Sequence, residues 1–162
     1  MCVKIKAPSR CNDKELQNFH CLVLEGEQVQ AAGLKDGIRK AVLLAFYYEE
    51  DTLVGIAALK RPHQAHKEEV IRKAGVFEKR DEFDLELGWA FTLEKYRGKG
   101  ICSCLVRKLL EAHGSKNLFA TTRKDNVQMQ KILKQNGFRR VGKSYVGRGC
   151  RLLLFVRAHS RM

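Results

Sequence analysis

The stretch FTLEKYRGKGICSCLVRKLLEAHG, residues 91–114, constrains the fold more than any other part of this sequence. It begins as the end of a strand-like run, and from Ile101 onward apolar residues recur at helical spacing. Gly98 and Gly100 stand at the junction, where glycine weakens both neighbouring elements through its conformational entropy. Glycines in such a place indicate a backbone that approaches a ligand closely.

The residues at this junction indicate that the ligand is an anion. A loop that leads into a helix presents successive N–H groups where the helix dipole concentrates about half a positive charge. Arg97 and Lys99 add formal positive charge beside the two glycines. The loop therefore predicts a site for a diphosphate.

Three loop patterns bind diphosphates at a junction of this kind. The P-loop pattern G-x-x-x-x-G-K-[ST] is absent. The dinucleotide pattern G-x-G-x-x-G fits Gly98 and Gly100 but meets Ser103 at its last glycine, and a hairpin rather than a βαβ unit precedes it. The pattern R-x-x-G-x-G/A fits Arg97 and Gly100, with Cys102 at its final position.

Length and composition predict one globular domain, residues 1–162. Of these residues 44% are apolar and 30% are charged, which is typical of a globular protein. No run of eighteen apolar residues occurs and the start lacks a secretory apolar region, so we expect a cytoplasmic protein without membrane contact. Six cysteines without C-x-x-C pairs or suitable histidine partners predict reduced thiols and no metal site.

The net charge of +13, with a pI near 9.7, is the unusual bulk property. Such a field attracts polyanions, which include RNA, DNA and a phosphorylated cofactor. Lysines and arginines occur along the whole chain rather than in a terminal tail. Two interpretations stay open: a solubilising surface that steers a cofactor, and a surface for an RNA or ribosomal partner.

The hydrophobic pattern predicts the order β-α-ββ-α-β-α-β-α-ββ, a mixed sheet with helices on both faces. A cap-like Asn12 or Asp13 opens the first helix, and an acidic turn at residues 49–51 joins two strands. His63 and His66 follow this hairpin, either near an acceptor or in a solvated loop. The last two strands are predicted to be joined by a turn at Gly147, Arg148 and Gly149.

The segment EFDLELGWAFTL, residues 82–93, predicts a strand. Alternation places Asp84 and Glu86 on one face. The opposite face carries four apolar residues: Leu85, Leu87, Trp89 and Phe91. Gly88 inside this strand predicts a bulge or a close approach of the backbone to a ligand.

From about residue 40 to 157 the sequence resembles the GNAT superfamily of acyl-CoA-dependent N-acetyltransferases. FTLEKYRGKGICSCLVRKLL is similar to the strand–loop–helix signature of that family, and TTRKDNVQMQKILKQNGF is similar to its second signature. Both occur in the order and at the separation of the family. The resemblance implies an α/β protein of the GNAT type, with a mixed, mostly antiparallel sheet, helices on both faces and a splayed central strand pair.

The resemblance also implies acetyl-CoA as the co-substrate. The strand residues whose backbone would face the pantetheine arm are Phe91, Thr92 and Leu93. The diphosphate would lie on Arg97, Gly98, Lys99, Gly100, Ile101, Cys102 and Ser103, and Asn126 would face the cofactor from the second signature. Cys102 replaces the usual glycine or alanine, so we expect weaker cofactor binding. As alternatives, its side chain packs in the core or acts as a covalent nucleophile.

Acetyl transfer to an amine requires the neutral amine. A lysine-like amine is neutral about one time in a thousand at pH 7.4, which costs about 4 kcal/mol, so a general base is needed. Glu86 is our candidate, because it lies eleven residues before Arg97, where several family members carry a basic glutamate. The alternative is a solvated or salt-bridged Glu86.

The general acid is a departure from the family. Its members usually protonate the leaving thiolate with a tyrosine at the position that Leu133 occupies here. Tyr145 or a water molecule is therefore predicted to replace it, although Tyr145 also fits a core position. A backbone N–H near Thr92 is predicted to hold the oxyanion.

The sequence thus predicts an N-acetyltransferase that transfers an acetyl group to a primary amine by direct attack in a ternary complex. Leu133 and Cys102 leave open a non-catalytic regulatory module that binds acyl-CoA. The net charge leaves open an amine acceptor on RNA or on a ribosomal protein. The acceptor, the acyl-chain preference and the oligomeric state, including a homodimer, are not specified.

Overall fold

The computed structural model describes residues 1–26, 31–79, 83–114 and 117–158. Its strands are β1 Cys2–Lys6, β2 Leu43–Glu49, β3 Thr52–Lys60, β4 Leu85–Thr92, β5 Leu118–Arg123, β6 Arg139–Gly147 and β7 Cys150–Arg157. Its helices are α1 Asp13–Glu25, α2 Leu34–Arg39, α3 Gln64–Ala74, α4 Ile101–His113 and α5 Val127–Gln135. The order agrees with the predicted one except for the short helix α2, which was not predicted. In these ranges, no helix has the length and apolarity needed to cross a membrane.

The strands form a seven-stranded sheet in the order β1-β2-β3-β4-β5-β7-β6. The ladders β1–β2, β2–β3, β5–β7 and β6–β7 are antiparallel, and β4–β5 is parallel. This confirms the predicted mixed, mostly antiparallel sheet. The β4–β5 ladder contains two residue pairs, Leu85 with Leu118 and Glu86 with Phe119, far fewer than either strand could form. Such a short ladder is what a splayed strand pair requires.

The chain divides into two compact units. The first contains Met1–Arg61 and Leu87–Gly114, and the second contains Pro62–Glu86 and Ser115–Met162. The chain passes from the second unit to the first within β4, after Glu86. The two units are therefore described separately.

In the first unit, helices cover both faces of the sheet. Phe19 of α1 packs edge-to-face on Phe46 of β2, with the ring centroids 5.5 Å apart. Ile56 of β3 belongs to the same buried cluster. The next residue along the strand, Gly55, faces the opposite way, where a Cβ would lie 2.7 Å from Ile101 of α4. Helix α4 therefore packs directly on the backbone of β3.

In the second unit, α3 packs on one face of the sheet. The buried cluster there consists of Val70, Ile71, Ala74, Val76, Phe83, Phe119, Val141, Tyr145, Leu154 and Val156. Because Glu86 pairs with Phe119 in register, its side chain is directed to this α3 face. The predicted separation of Glu86 from Leu85 on opposite faces agrees with this register.

A bulge in β6 allows the end of α3 to pack closely on this strand. Between the pairs made by Val141 and Tyr145, residues 142–144 lie opposite a single residue of β7. Gly142 has φ 69°, and a Cβ there would fall 2.2 Å from the carbonyl oxygen of Ala74. Only glycine fits this position, so the bulge and the end of α3 are built around it.

Candidate functional site

The two glycines of the predicted diphosphate loop adopt the left-handed conformation. Gly98 has φ 79° and Gly100 has φ 78°, values that a residue with a Cβ rarely adopts. A Cβ at either position would meet no heavy atom within 4 Å. The surrounding protein therefore leaves room for a side chain, and the backbone conformation is what requires glycine here.

The amides of this loop are free to bind a ligand. Gly100 is the N-cap of α4 and provides no side-chain cap. In the described part of the chain, the amides of residues 98–101 and 103 donate no hydrogen bond. Unpaired N–H groups at the positive end of a helix dipole bind anions. The predicted residues Gly98, Lys99, Gly100, Ile101 and Ser103 are thus brought together at one helix start.

The side chain of Arg97 connects the loop to the end of β4 through a hydrogen bond. Its Nε donates a 2.9 Å hydrogen bond to the carbonyl oxygen of Thr92, and its guanidinium lies 5.5 Å from the centroid of the Phe91 ring. Lys99 places its Nζ 5.3 Å from the Tyr96 ring centroid. Both cations are exposed and lie beside the free amides.

The bulge predicted at Gly88 coincides with backbone strain. Trp89 has φ 52°, a left-handed conformation that is unusual for a bulky residue and costs of the order of 1–3 kcal/mol. A Cβ on Gly88 would lie 2.7 Å from Cδ of Lys60, whose Nζ stands 4.5 Å from the Trp89 ring centroid. The left-handed Trp89 interrupts the regular alternation from Leu85 to Phe91 next to Gly88, where the sequence predicted a bulge.

The predicted backbone contacts at the end of β4 are only partly available. Leu93 donates its N–H to the carbonyl of Val54 and accepts from the N–H of Tyr96, both at 2.9 Å. The N–H of Leu93 is therefore used within the protein, whereas its carbonyl oxygen can still accept a second hydrogen bond, so a contact of Leu93 with a pantetheine arm stays a prediction. The hydroxyl of Thr92 is buried and has no hydrogen-bond partner among the described residues. Phe91 packs on the α1 and α2 core.

Cys102 lies in the first turn of α4. Burial raises the pKa of its thiol to about 11. The thiol is thus protonated near neutral pH, whereas a nucleophilic cysteine requires the thiolate. This favours packing over covalent catalysis for Cys102.

In the second unit, the predicted base Glu86 contacts a histidine. Nε2 of His66 lies 3.2 Å from Oε2 of Glu86. The His66 side chain is 36% exposed and that of Glu86 is 5% exposed. The imidazole is therefore the accessible end of a carboxylate–imidazole pair. Of the predicted alternative, a solvated Glu86 does not fit this burial, whereas a salt-bridged Glu86 fits the contact with His66.

Helix α3 positions the imidazole. His63 is its N-cap residue and His66 stands in its first turn, so His66 is not in a loop as one prediction had it. The three-residue spacing of His63 and His66 is compatible with a helix, but it does not indicate the contact of His66 with Glu86, which is 20 residues away in the sequence. No group of three or more metal-binding side chains occurs in the part of the chain that the structure describes.

Tyr145 belongs to the same unit and lies in the α3-facing cluster. Burial, with the negative charges of Glu86 and Glu69 as smaller causes, raises the pKa of Tyr145 above its ordinary value. Its buried hydroxyl has no hydrogen-bond partner within the described ranges. Buried polar groups are nearly always satisfied, so this exception fits a functional group.

Helix α5 carries the remaining predicted positions. Asn126 is its N-cap, and the Asn126 side chain accepts a 3.0 Å hydrogen bond from the N–H of Met129. Leu133, at the position of the family tyrosine, is fully buried. Val127, the first residue of α5, is 71% exposed. Asn126 therefore has a structural role as a cap, and Leu133 is a core residue.

Known structures share this architecture. An acyl-CoA N-acyltransferase from Pseudomonas aeruginosa superposes with a TM-score of 0.72 at 15% identity, covering 97% of this chain and 99% of the other. ElaA of Escherichia coli gives 0.70 at 17% identity, with 96% and 98% covered. yncA from Salmonella typhimurium, solved with its cofactor acetyl-CoA, gives 0.64 at 14% identity, with 100% and 95% covered. At such identities the likeness shows the fold alone.

The sequence itself decides the family. A search of curated proteins finds no match. The sequence model of the acetyltransferase (GNAT) domain, in contrast, matches residues 11–139, which include the glycine loop, Glu86 and α5. This chain belongs to the GNAT acetyltransferase family.

Proposed function

We propose that this chain transfers an acetyl group from acetyl-CoA to a primary amine by direct attack in a ternary complex. The observation that carries the proposal is the set of unpaired amides at residues 98–101 and 103, at the uncapped start of α4. These N–H groups, with Arg97 and Lys99, fit the diphosphate of coenzyme A. When bound, acetyl-CoA supplies an activated acetyl thioester.

The base is proposed to be the pair of His66 and Glu86. The acceptor reaches the protein as an ammonium ion and must lose a proton before it attacks. The exposed imidazole of His66 takes this proton, directly or through water, and the buried carboxylate of Glu86 stabilises the imidazolium that forms. Such a base contributes about 10²–10⁴-fold to the rate.

Two buried hydroxyl groups are proposed to serve the transition state. Tyr145 stays protonated at neutral pH, because its pKa is raised, and is assigned to donate a hydrogen bond to the leaving sulfur. Thr92 is assigned, with a backbone N–H near it, to the oxyanion of the tetrahedral intermediate. Their hydroxyl groups lack partners among the described residues, as groups that bind a ligand would.

A regulatory acyl-CoA-binding module is the second candidate. The fully buried Leu133 favours it, because the usual proton donor of the family is missing at this position. In such a protein the glycine loop binds acyl-CoA, and no amine is acetylated.

One experiment separates the two candidates. The folded protein is titrated with acetyl-CoA by calorimetry, with NAD and ATP as comparison ligands, and the release of free coenzyme A is then measured with a panel of primary amines. Binding followed by amine-dependent release supports the transferase. Tight binding without release for any amine supports the module, and no binding of acetyl-CoA would falsify both.

A further inference from the structure

The positive charge of this protein is unevenly balanced. Lysines and arginines occur along the whole chain, but acidic residues do not. Residues 115–162 contain twelve lysines and arginines against one acid, Asp125, so this segment has a net charge of +11 out of +13 for the whole protein. Residues 62–86 of the same unit have five lysines and arginines against seven acids, so the second unit has a net charge of +9 and the first has +4.

Most of these cations are at the surface of that unit. We define the basic surface by its eight exposed members: Lys124, Lys131, Lys134, Arg139, Arg140, Lys143, Arg148 and Arg151. They lie in the turn between β5 and α5, on α5, on the edge strand β6 and on the adjoining turn and start of β7. Arg148 is exposed at the tip of the β6–β7 hairpin, with φ 51°.

Five members of the basic surface, on α5 and β6, form no ion pair with an acid among the described residues. Asp125, the one acid in the segment, pairs with Arg123 at 3.2 Å rather than with a member of the surface. Among the described residues, no ion pair involves the lysines at 131, 134 and 143 or the arginines at 139 and 140. Five uncompensated cations on one short segment repel one another, and an anionic partner would relieve that repulsion.

We infer that the basic surface binds the phosphate backbone of a nucleic acid. Partners that are proteins need buried aromatic or apolar anchors, and interfaces are depleted in lysine. All four aromatic residues of the segment, Phe119, Phe138, Tyr145 and Phe155, are buried. Membrane-binding surfaces likewise need large apolar residues that insert, and the large hydrophobic residues exposed in the described part of this segment are two separate valines, Val127 and Val146. Binding to phosphates needs only clustered cations, which is what this surface offers.

The geometry suits a linear polyanion. Arg139, Arg140 and Lys143 are exposed along the edge strand β6, the last of them in its bulge. Helix α5 carries Lys131 and Lys134 one helical turn apart. A chain of phosphates can contact several of these cations at once. RNA and DNA share this chemistry, so the two are separated by experiment.

The test compares two variants of equal charge. In the first, Arg139, Arg140 and Lys143 are replaced by glutamine. In the control, three exposed cations of the first unit are replaced by glutamine: Arg10, Arg39 and Lys35. Each variant therefore loses two arginines and one lysine. Fluorescence anisotropy measures the binding of a single-stranded RNA, a duplex DNA, a poly-glutamate peptide and anionic vesicles between 50 and 300 mM salt. Circular dichroism and thermal melts check that both variants fold.

The expected result is salt-dependent binding of RNA, DNA or both. For a single strand, the first variant loses three contacts, so the slope of log K against log salt becomes shallower by about 2 and affinity falls roughly a hundredfold at 0.1 M salt. The control keeps the wild-type slope. Equal losses in both variants, equally tight binding of poly-glutamate or vesicles, or no binding of either nucleic acid at 50 mM salt would overturn the inference. The measurement needs no acetyl-CoA, so its outcome is independent of the proposed transferase activity.

Discussion

Nε2 of His66 lies 3.2 Å from Oε2 of Glu86, and this contact joins the first turn of α3 to the start of β4. The carboxylate is almost fully buried and the imidazole is about one-third exposed. A buried carboxylate orients an imidazole and stabilises its charged form, so the two side chains are expected to act as one group. The following predictions start from this pair.

Replacing Glu86 by glutamine is expected to lower kcat about 10²–10⁴-fold and to leave the affinity for acetyl-CoA nearly unchanged. Replacing His66 by alanine should have an effect of similar size. Because the two groups act together, the double variant should be no slower than the slower single variant. Steady-state kinetics with saturating acetyl-CoA measure this.

Glu68 provides the control for that cycle. It is an exposed neighbour on α3 that accepts a hydrogen bond from Gln64, so Glu68→Gln should keep the wild-type rate. If the losses at Glu86 and His66 simply multiply in the double variant, the two residues act independently and the proposed pair is wrong.

Gly100→Ala is expected to weaken acetyl-CoA binding at least tenfold, because a Cβ would stand where the backbone meets the diphosphate. The protein itself has room for this Cβ, so the folding cost comes from the left-handed conformation and is about 1–2 kcal/mol. Calorimetric titration and urea unfolding measure the two effects separately.

Gly33 is a matched control for this substitution. It is the N-cap of α2, has φ 75°, and a Cβ there would also meet nothing within 4 Å. Gly33→Ala should therefore cost the same stability and leave cofactor affinity unchanged. If Gly100→Ala and Gly33→Ala bind acetyl-CoA with equal affinity, the diphosphate does not bind at the Gly100 loop.

Tyr145→Phe is expected to separate stability from activity. A buried hydroxyl without a hydrogen-bond partner is destabilising, so its removal should raise the free energy of unfolding by about 1 kcal/mol. The same change removes the proposed donor to the leaving sulfur, and kcat should fall about 10–100-fold. Urea unfolding and steady-state kinetics on one preparation measure the two effects. If the variant is more stable and fully active, Tyr145 is a core residue without a role in catalysis.

The raised pKa of Tyr145 also predicts a pH dependence. The folded state holds the phenol proton more tightly than the unfolded state does, so this group loses its contribution to stability as the pH rises above about 10, the unfolded value. Below that pH the phenol is protonated in both states, so its titration does not change stability there. Urea unfolding between pH 9 and 11 should show a smaller loss of stability in Tyr145→Phe than in the wild-type protein.

Cys102→Ala is expected to keep full turnover, because the protonated thiol has no proposed role in catalysis. Since burial raises the pKa of Cys102 to about 11, alkylation by iodoacetamide at pH 7.5 should be much slower there than at the exposed Cys2 and Cys21. Peptide mass spectrometry after timed alkylation compares the sites. A loss of turnover greater than about tenfold in Cys102→Ala would restore the covalent alternative.

Local signals in the sequence were sufficient for most of the fold. The helical stripe of α4, the two-residue hairpin turn at Arg148 and the glycine that ends α3 are each specified by neighbours within a few residues. Helix α2 was missed because its six residues include Gly37 and are too short for a clear period. The irregularity in β4 had a local signal in Gly88, but the left-handed conformation of the neighbouring Trp89 was not predicted.

The sequence by itself determined the family, the order of the elements and the glycine loop, because each depends on residues that are adjacent in the chain. It also named Glu86 and Tyr145, through the resemblance to that family. Only the tertiary structure decided that His66 contacts Glu86, that the N–H of Leu93 bonds to Val54, and that the hydroxyl of Tyr145 is buried without a partner among the described residues. These facts depend on residues from different elements, whose meeting is set by the packing of helices on the sheet rather than by any local pattern.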